Sequence, residues 1–285
     1  MEFVDIKIHK IAETKIDRDS IRQWLDGLGA QEYSIQDDNS ISDPEHLVGL
    51  AAKRCYKSYL PNLNPNVTKV RSEWKSYFEN ILKSGHGSVL EHANFTYAFE
   101  NVSRIFTAEM NRHRAGTAIS EQSLRYVRFN SIPFWIPLSL RSDGISNDGK
   151  LTGEEPVLSS LSEIEIKKIK TRNKLKNVLE YIEKCYTDLV ELWDFENMKD
   201  FHTKKVITSM LRRILPMGIA TGAVYTLNGR AIRHICTMRC DPAAEEEICY
   251  VFSHIAKEMC SDTPFLFQDF KQTEEGFWYP INKKV

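Results

Sequence analysis

Apolar residues along this chain change their spacing repeatedly, from a period of two to a period near 3.6 and back, and no linker separates the stretches. That alternation constrains the fold more than any single motif. Strand and helix patterns in mixed order, without a Pro-, Gly- or Ser-rich hinge, predict one α+β domain spanning residues 1–285. Residues 2–12 alternate as a half-buried strand. Asp17 to Leu28 reads as a helix stopped by Gly29, and Asp43-Pro44 offers an N-cap and first-turn proline for a helix through Leu47, Leu50, Ala51 and Ala52. Tyr59 to Val67 is loop. Trp74 to Lys83 is helical, closed by Ser84-Gly85-His86-Gly87, and Asn94 to Phe99 alternates as a strand. From Val102, Ile105, Phe106 and Met110 form one helical stripe, while Arg104, Ala108 and Arg112 share another face. Ser142 to Glu155 reads as an inserted loop. Ile164 to Leu192 is one long helix, and about Met198 to Leu215 is a shorter one ended by Pro216. Asp241-Pro242 opens the last helix, with its stripe at Ile248, Val251, Phe252, Ile255 and Met259.

Composition narrows the function classes. With 38 Lys+Arg against 39 Asp+Glu the formal net charge is −1, which argues against a protein held on nucleic acid by bulk electrostatics. No apolar run approaches the roughly 18 residues of a membrane helix. The acidic start, Met1-Glu2-Phe3-Val4-Asp5, predicts no signal peptide. The six cysteines are therefore expected as reduced thiols in a cytoplasmic protein.

Chemistry concentrates in three places. Arg112-His113-Arg114 and Ser120-Glu121-Gln122-Ser123-Leu124-Arg125-Tyr126 put three arginines, a histidine, two serines and one carboxylate within fifteen residues. Guanidinium forks bind phosphate or carboxylate at any working pH, and Ser and Glu add the directional hydrogen bonds that a uracil or flavin edge requires. A solvated basic loop with one ion pair is the plainer alternative. Arg212-Arg213-Ile214-Leu215-Pro216, Asn228-Gly229-Arg230, Arg233-His234 and Arg239 form a second group around an apolar, small-residue stretch. Arg239 precedes the expected helix at Asp241-Pro242, a favourable place for an anion, although a structural ion pair to Glu245, Glu246 or Glu247 would also satisfy it. Third, His86-Gly87-Ser88-Val89-Leu90-Glu91-His92 lies at a helix–strand junction, with spacing that fits no standard zinc pattern. No metal is expected. Dinucleotide and P-loop glycine motifs are both missing from the sequence.

Taken together these segments resemble the flavin-dependent thymidylate synthases, the ThyX or thymidylate synthase complementing family. The family signature R-H-R-x-x-S-x-N-E-x-S-x-R-Y is similar to Arg112-His113-Arg114 followed by Ser120 to Tyr126. R-I-x-L-P, N-x-R and L-R-A-D resemble Arg212 to Pro216, Asn228 to Arg230 and Met238 to Asp241, and H-x-T-P-x-E-H resembles His86 to His92. The match covers about residues 45–272, leaving 1–44 as an N-terminal extension.

The resemblance implies a ThyX-like α+β fold with a central antiparallel sheet and long helices, working as a homotetramer with active sites at subunit interfaces. It implies FAD at Ser88, Glu91, Arg112, His113, Arg114, Glu121, Asn228, Gly229 and Arg230, with His234 where an Asn is expected. It implies dUMP at Glu109, Arg112, Glu121, Gln122, Ser123, Arg125, Arg212 and Arg239. Arg239 would favour the ionised pyrimidine N3 and is the expected catalytic residue. NADPH would reduce the flavin and 5,10-methylenetetrahydrofolate would supply the carbon, giving dTMP without a cysteine nucleophile. Neither nucleic acid nor membrane is an expected partner.

Three departures stand out. Eight residues rather than seven separate Arg114 from Ser123, which predicts an outward bulge. Ser120 replaces the Asn before the family's Glu, and Ala243-Ala244 follows Arg239 where a histidine is common. Two rival readings remain. One is C5 alkylation of another pyrimidine nucleotide such as UMP. The other is a non-catalytic nucleotide- or nucleic-acid-binding relative, using Tyr126, Phe129 and Trp135 as stacking platforms.

Overall fold

In the computed structural model, residues 1–33, 41–71, 73–126, 129, 131–141 and 162–285 are described. The Ser142 to Glu155 segment lies outside them, as does part of the N-terminal extension. The chain is mixed helix and sheet. Strand β1 (Glu2–Val4) and β2 (Lys7–Glu13) precede helices α1 (Arg18–Gly27), α2 (Asp43–Tyr56) and α3 (Trp74–Lys83). A short 3-10 helix, Gly87–His92, leads into β3 (Asn94–Ser103), α4 (Arg104–Met110), β4 (Thr117–Glu121) and β5 (Pro133–Trp135). Next come α5 (Glu163–Leu192), α6 (Phe201–Leu211), β6 (Ala220–Asn228), α7 (Gly229–Arg239), α8 (Glu246–Asp262), β7 (Phe270–Gln272) and β8 (Trp278–Pro280). Strand order is β2-β3-β6-β4 in the four-stranded sheet, and β1-β5 and β7-β8 form two-stranded ones. No helix among the described residues is long and apolar enough to cross a membrane.

The residues group into two compact units. The first comprises Met1–His9, Ala98–Arg112 and Ile119–Val224. In it β1 runs parallel to β5, pairing Glu2 with Pro133 and Val4 with Trp135. Helix α5 opens on a capping box, in which Ser162 accepts from the Glu165 amide while the Glu165 carboxylate takes the Ser162 N–H. Trp135 is buried, with the Arg141 guanidinium 5.5 Å from its ring. It is therefore not available as a stacking platform. Tyr126 is exposed, stacked on Phe201 with Lys205 over its ring.

The second unit comprises Lys10–Tyr97, His113–Ala118 and Tyr225–Val285. Ile248, Val251, Phe252, Ile255 and Met259 of α8 are all buried, as their spacing predicts. Phe78 and Phe265 stack at 6.0 Å. Buried Glu45 accepts from the Phe265 and Leu266 amides and from Ser42, so a carboxylate on α2 holds the chain that leaves α8. Arg233 of α7 makes two bonds to Asp269, 2.8 and 3.0 Å, and a third to the Leu266 carbonyl.

Several boundaries differ from the sequence expectation. The alternation over 2–12 is two strands, because Asn101 donates to the Asp5 carbonyl and β1 and β2 pair in different sheets. Strand β3 continues to Ser103, whose hydroxyl caps α4 by accepting from the Ile105 and Phe106 amides, so Val102 is strand, not helix. Helix α2 starts one residue early because Ser42 forms its capping box with Glu45. The last helix does not open at Asp241-Pro242. Asp241 turns on itself, accepting from the Ala243 amide through its carboxylate and from Ala244 through its carbonyl, and Glu245 caps α8 instead. Strands β4 and β6 carry too few alternating apolar residues to read as strands.

Burying Asp269 raises its affinity for a proton, but the Arg233 hydrogen bonds and charge outweigh that and hold its carboxyl below the ordinary range. The pair therefore contributes stability above the unfolded carboxylate range and loses it as pH falls through the depressed value. Stability should decline as the medium is acidified from about pH 4. Asp269→Asn should flatten that slope and cost about 3–5 kcal/mol by leaving Arg233 buried without its counter-charge. Urea unfolding of both proteins from about pH 7 down to about pH 2 measures both effects, since the loss begins near the unfolded carboxylate value and continues through the depressed one.

Candidate active site

The residues singled out from the sequence fall into both units. In the second, α7 is the main support. Asn228 is its N-cap, accepting from the Ala231 amide at 2.8 Å, and is itself buried. Gly116 makes this possible. It sits at φ +70, its carbonyl accepts from the Asn228 amide, and a Cβ there would lie 2.4 Å from the Asn228 side-chain nitrogen. Below the cap, Arg230 and His234 are exposed one turn apart, while Arg233 between them is buried.

Arg230 reaches the 3-10 helix, bonding Glu91 at 2.7 Å and the Val285 carbonyl at 3.3 Å. Both side chains of the Glu91 pair are nearly half exposed, so the pair is worth little as a stability element. Its effect is to aim the guanidinium beside Gly87 and Ser88. Beside them lies a cavity of about 360 Å³, lined by Tyr56, His86, Gly87, Ser88 and Arg230. Tyr56 and His86 stack at 6.1 Å along its wall. A guanidinium, a serine hydroxyl and stacked rings are a donor set suited to a nucleotide cofactor that carries both a pyrophosphate and a flat base.

Arg239 lies at the other end of α7. Its Nε donates to the Nε2 of buried His113 at 2.9 Å. His113 thus presents a bare nitrogen toward the arginine, which is the neutral ring with its proton on Nδ1. The His234 ring packs edge-on at 6.2 Å. Arg239 is the last residue of a helix and not the one ahead of a helix N-terminus, so the anion-favouring dipole anticipated there is absent. The last turn of a helix instead favours a cation. Arg114 and Ser88 are exposed.

In the first unit, Arg104 Nη1 meets Glu121 at 2.7 Å and Asn111 donates to the other oxygen of the same carboxylate at 3.0 Å. Gln122 is locked to β6: its amide N–H donates to the Gly222 carbonyl, and its side-chain oxygen accepts from the Gly222 N–H at 3.1 Å. Glu121, Gln122, Ser123, Leu124, Arg104 and Arg212 line a cavity of about 230 Å³. Glu109 is half-buried on α4, and Arg112 and Arg125 are exposed. Between Arg114 and Ser123 the chain turns at exposed Ala115-Gly116 and then runs as a strand over Thr117–Glu121.

Sequence reasoning left out Arg104 and Asn111. Arg104 had a signal in its helical spacing with Ala108 and Arg112, although α4 ends at Met110 and leaves Arg112 outside it, and Asn111 had none. The pairing that gives Arg104 a role depends on Glu121, beyond the helix.

The profile of the thymidylate synthase complementing protein family matches residues 38–265. The chain belongs to that family. The match begins and ends seven residues earlier than the motifs suggested. A flavin-dependent thymidylate synthase of Clostridium tetani is 29% identical over 232 residues, covering 79% of this chain and 82% of the relative. One of Geobacter sulfurreducens is 28% identical over 228 residues, covering 80% and 82%. Among solved structures, the UMP/dUMP methylase PolB of Streptomyces cacaoi, bound with 5-Br dUMP, shares the fold with a TM-score of 0.61 at 16% identity, covering 94% of this chain and 96% of that one. ThyX of Helicobacter pylori, solved with FAD and dUMP, gives 0.51 at 17% identity, covering 93% and 98%. This family member thus carries the thymidylate synthase complementing fold.

The cap assigns Asn228 a structural task that can be separated from ligand contact. Asn228→Ala should cost about 1 kcal/mol of stability, and Asn228→Asp should recover most of it. Chemical denaturation of the three proteins without ligand checks this.

Proposed function

We propose that this chain is a flavin-dependent thymidylate synthase, which methylates dUMP to dTMP with FAD, NADPH and 5,10-methylenetetrahydrofolate. The observation that carries the reading is the pairwise joining of motifs far apart in sequence. Glu91 of the His86–His92 segment bonds Arg230 of Asn228–Arg230, and His113 of the Arg112–Arg114 signature bonds Arg239. A family match over 38–265 and the names of its relatives support the same activity.

On this reading FAD is held by Ser88, Glu91, Arg112, His113, Arg114, Glu121, Asn228, Gly229, Arg230 and His234. dUMP is held by Glu109, Arg112, Glu121, Gln122, Ser123, Arg125, Arg212 and Arg239. Bound flavin, reduced by NADPH, supplies the redox equivalents and supports one-carbon transfer from the folate. The chain's own groups bind and polarise. Neutral His113 accepts from Arg239 and fixes the guanidinium, which then stabilises negative charge at the pyrimidine N3. Glu121, already holding two donors of this chain, contributes by fixing Arg104 as well as by facing the nucleotide. Ser123 is a hydrogen-bonding contact, since among the described residues no base is bonded to its hydroxyl, which accepts from the Arg125 amide. The protein works as one catalytic domain in a cytoplasmic homotetramer built on a central antiparallel sheet.

A second pyrimidine is worth testing because PolB, of the same fold, is named a UMP/dUMP methylase. Discrimination at the sugar 2′ position rests on few contacts. Purified protein should retain an oxidised-flavin absorption spectrum after excess FAD is removed, and should form dTMP from dUMP faster than it methylates UMP. Arg239→Ala should abolish dTMP formation, by at least about 10²-fold as for loss of one charge-stabilising donor, while the flavin spectrum persists. Turnover retained in that variant would remove Arg239 from the assigned role.

A further inference from the structure

Residues 282–285 of the second unit touch the cavity beside Arg230 without belonging to any motif, and they lie beyond the residues that the family profile matches. One end of this segment is anchored in the interior. Asn282 donates to buried Asp269 through its amide and through its side-chain nitrogen, both at 2.9 Å, and its carbonyl accepts from Arg233 at 3.4 Å. The other end meets the exposed side of α7, where the Val285 carbonyl accepts from Arg230 Nε at 3.3 Å. Three residues extend at most about 10–11 Å, about the width of a helix with its side chains. The path from Asn282 to Val285 therefore has little slack.

The backbone of the segment fits where two side chains are missing. A Cβ at Gly87 would overlap the Val285 carbonyl carbon and lie 2.8 Å from Arg230 Nε. One at Gly85, where φ is +69, would lie 3.0 Å from the Lys284 carbonyl oxygen. Both glycines and Arg230 line the cavity of about 360 Å³, so the segment runs along its rim. Its effect on Arg230 follows from which nitrogens are taken. Nη1 bonds Glu91 and Nε bonds Val285, which leaves Nη2 without a partner among the described residues. A single contact leaves a guanidinium free to turn, whereas two contacts at different nitrogens fix its plane. The ordering of a long side chain is then incurred on folding and not on ligand binding.

We propose that residues 282–285 are a strap that positions Arg230 and slows the release of a phosphate-bearing ligand from this cavity. Val285 is a positioning residue, acting through the guanidinium. The proposal rests on the flavin reading of the cavity, in which the ligand is FAD and its pyrophosphate meets Arg230. Lys283 and Lys284 are exposed on the strap. The hold on Arg230 is made by a main-chain oxygen, so it does not depend on their charges.

The test is the rate at which FAD leaves the protein on dilution, read by flavin fluorescence. The whole chain is compared with one lacking residues 283–285, which keeps the Asn282 anchor. The shortened chain should release FAD about tenfold faster, as for loss of a hydrogen bond to a charged group. Lys283→Gln combined with Lys284→Gln should release it at the wild-type rate. Gly87→Ala, whose methyl displaces Val285, should speed release from the whole chain and add nothing in the shortened one. Urea unfolding without ligand completes the cycle: Gly87→Ala should lower the stability of the whole chain more than that of the shortened one. Equal release by the two chains would overturn the proposal and leave the flavin reading standing. So would an effect of Gly87→Ala that is the same in both, which sets the methyl against the ligand itself, or fast release by the lysine variant, which assigns the effect to charge. If neither chain binds FAD, the flavin reading and the strap's role fall together. Slower release by the whole chain in a protein that forms no dTMP would support the strap and sink the thymidylate synthase reading.

Discussion

The buried Arg233–Asp269 pair fixes the rotation of α7, and most of the second unit's candidate chemistry is mounted on that helix. A guanidinium at 3% exposure is tolerable only with its charge and most of its donors satisfied. Asp269, the Leu266 carbonyl and the faces of Phe267 and Phe270 meet its charge and its two Nη groups, while Nε is buried without a hydrogen-bond partner among the described residues. Arg233 is turned inward while Arg230 and His234 are exposed, and Arg239 lies at the end of the helix beside His113. Asn228 and Gly116 set the start of the same helix.

That arrangement explains how polar residues in one short segment come to have opposite tasks. Arg230, Arg233 and Arg239 look alike in sequence, each a cation in an otherwise apolar stretch. One is a structural charge sealed in the interior, one is aimed at a cavity, and one is bonded to a histidine. The structural ion pair anticipated for this group exists, but it belongs to Arg233 and uses a carboxylate from the segment after α8. Nothing in the local pattern distinguishes them, because each partner lies at least 30 residues away along the chain, on the order of ten helical turns of sequence.

What could be read from the sequence was local or periodic. The α8 stripe, the Trp74–Lys83 helix and the long α5 follow from spacing and caps alone. The motif clusters also follow, since they are contiguous. What could not be read depended on partners. Asp241-Pro242 has the composition of a helix start, yet the Asp closes a local turn and Glu245 takes over as cap. Residues 2–12 alternate without interruption, yet the chain changes sheets at Asp5, where a side chain from Asn101 takes its carbonyl. Strand β4 was hidden inside a charged signature, where function and not burial dictates the residue types.

The first unit shows a complementary use of charge. Glu121 carries the acidic position of the family signature, and both its oxygens already have donors from this chain. A carboxylate so occupied acts chiefly by fixing what binds it, so Arg104 is a pre-oriented part of the wall of the polar cavity beside Ser123. Pre-orientation matters because an arginine loses side-chain entropy when it is ordered, and here that loss is incurred on folding and not on ligand binding. Among the described residues, Arg212 and Arg213 have no carboxylate partner, and both are exposed. Folding thus fixes Arg104 against a carboxylate, and among the described residues gives Arg212 and Arg213 none.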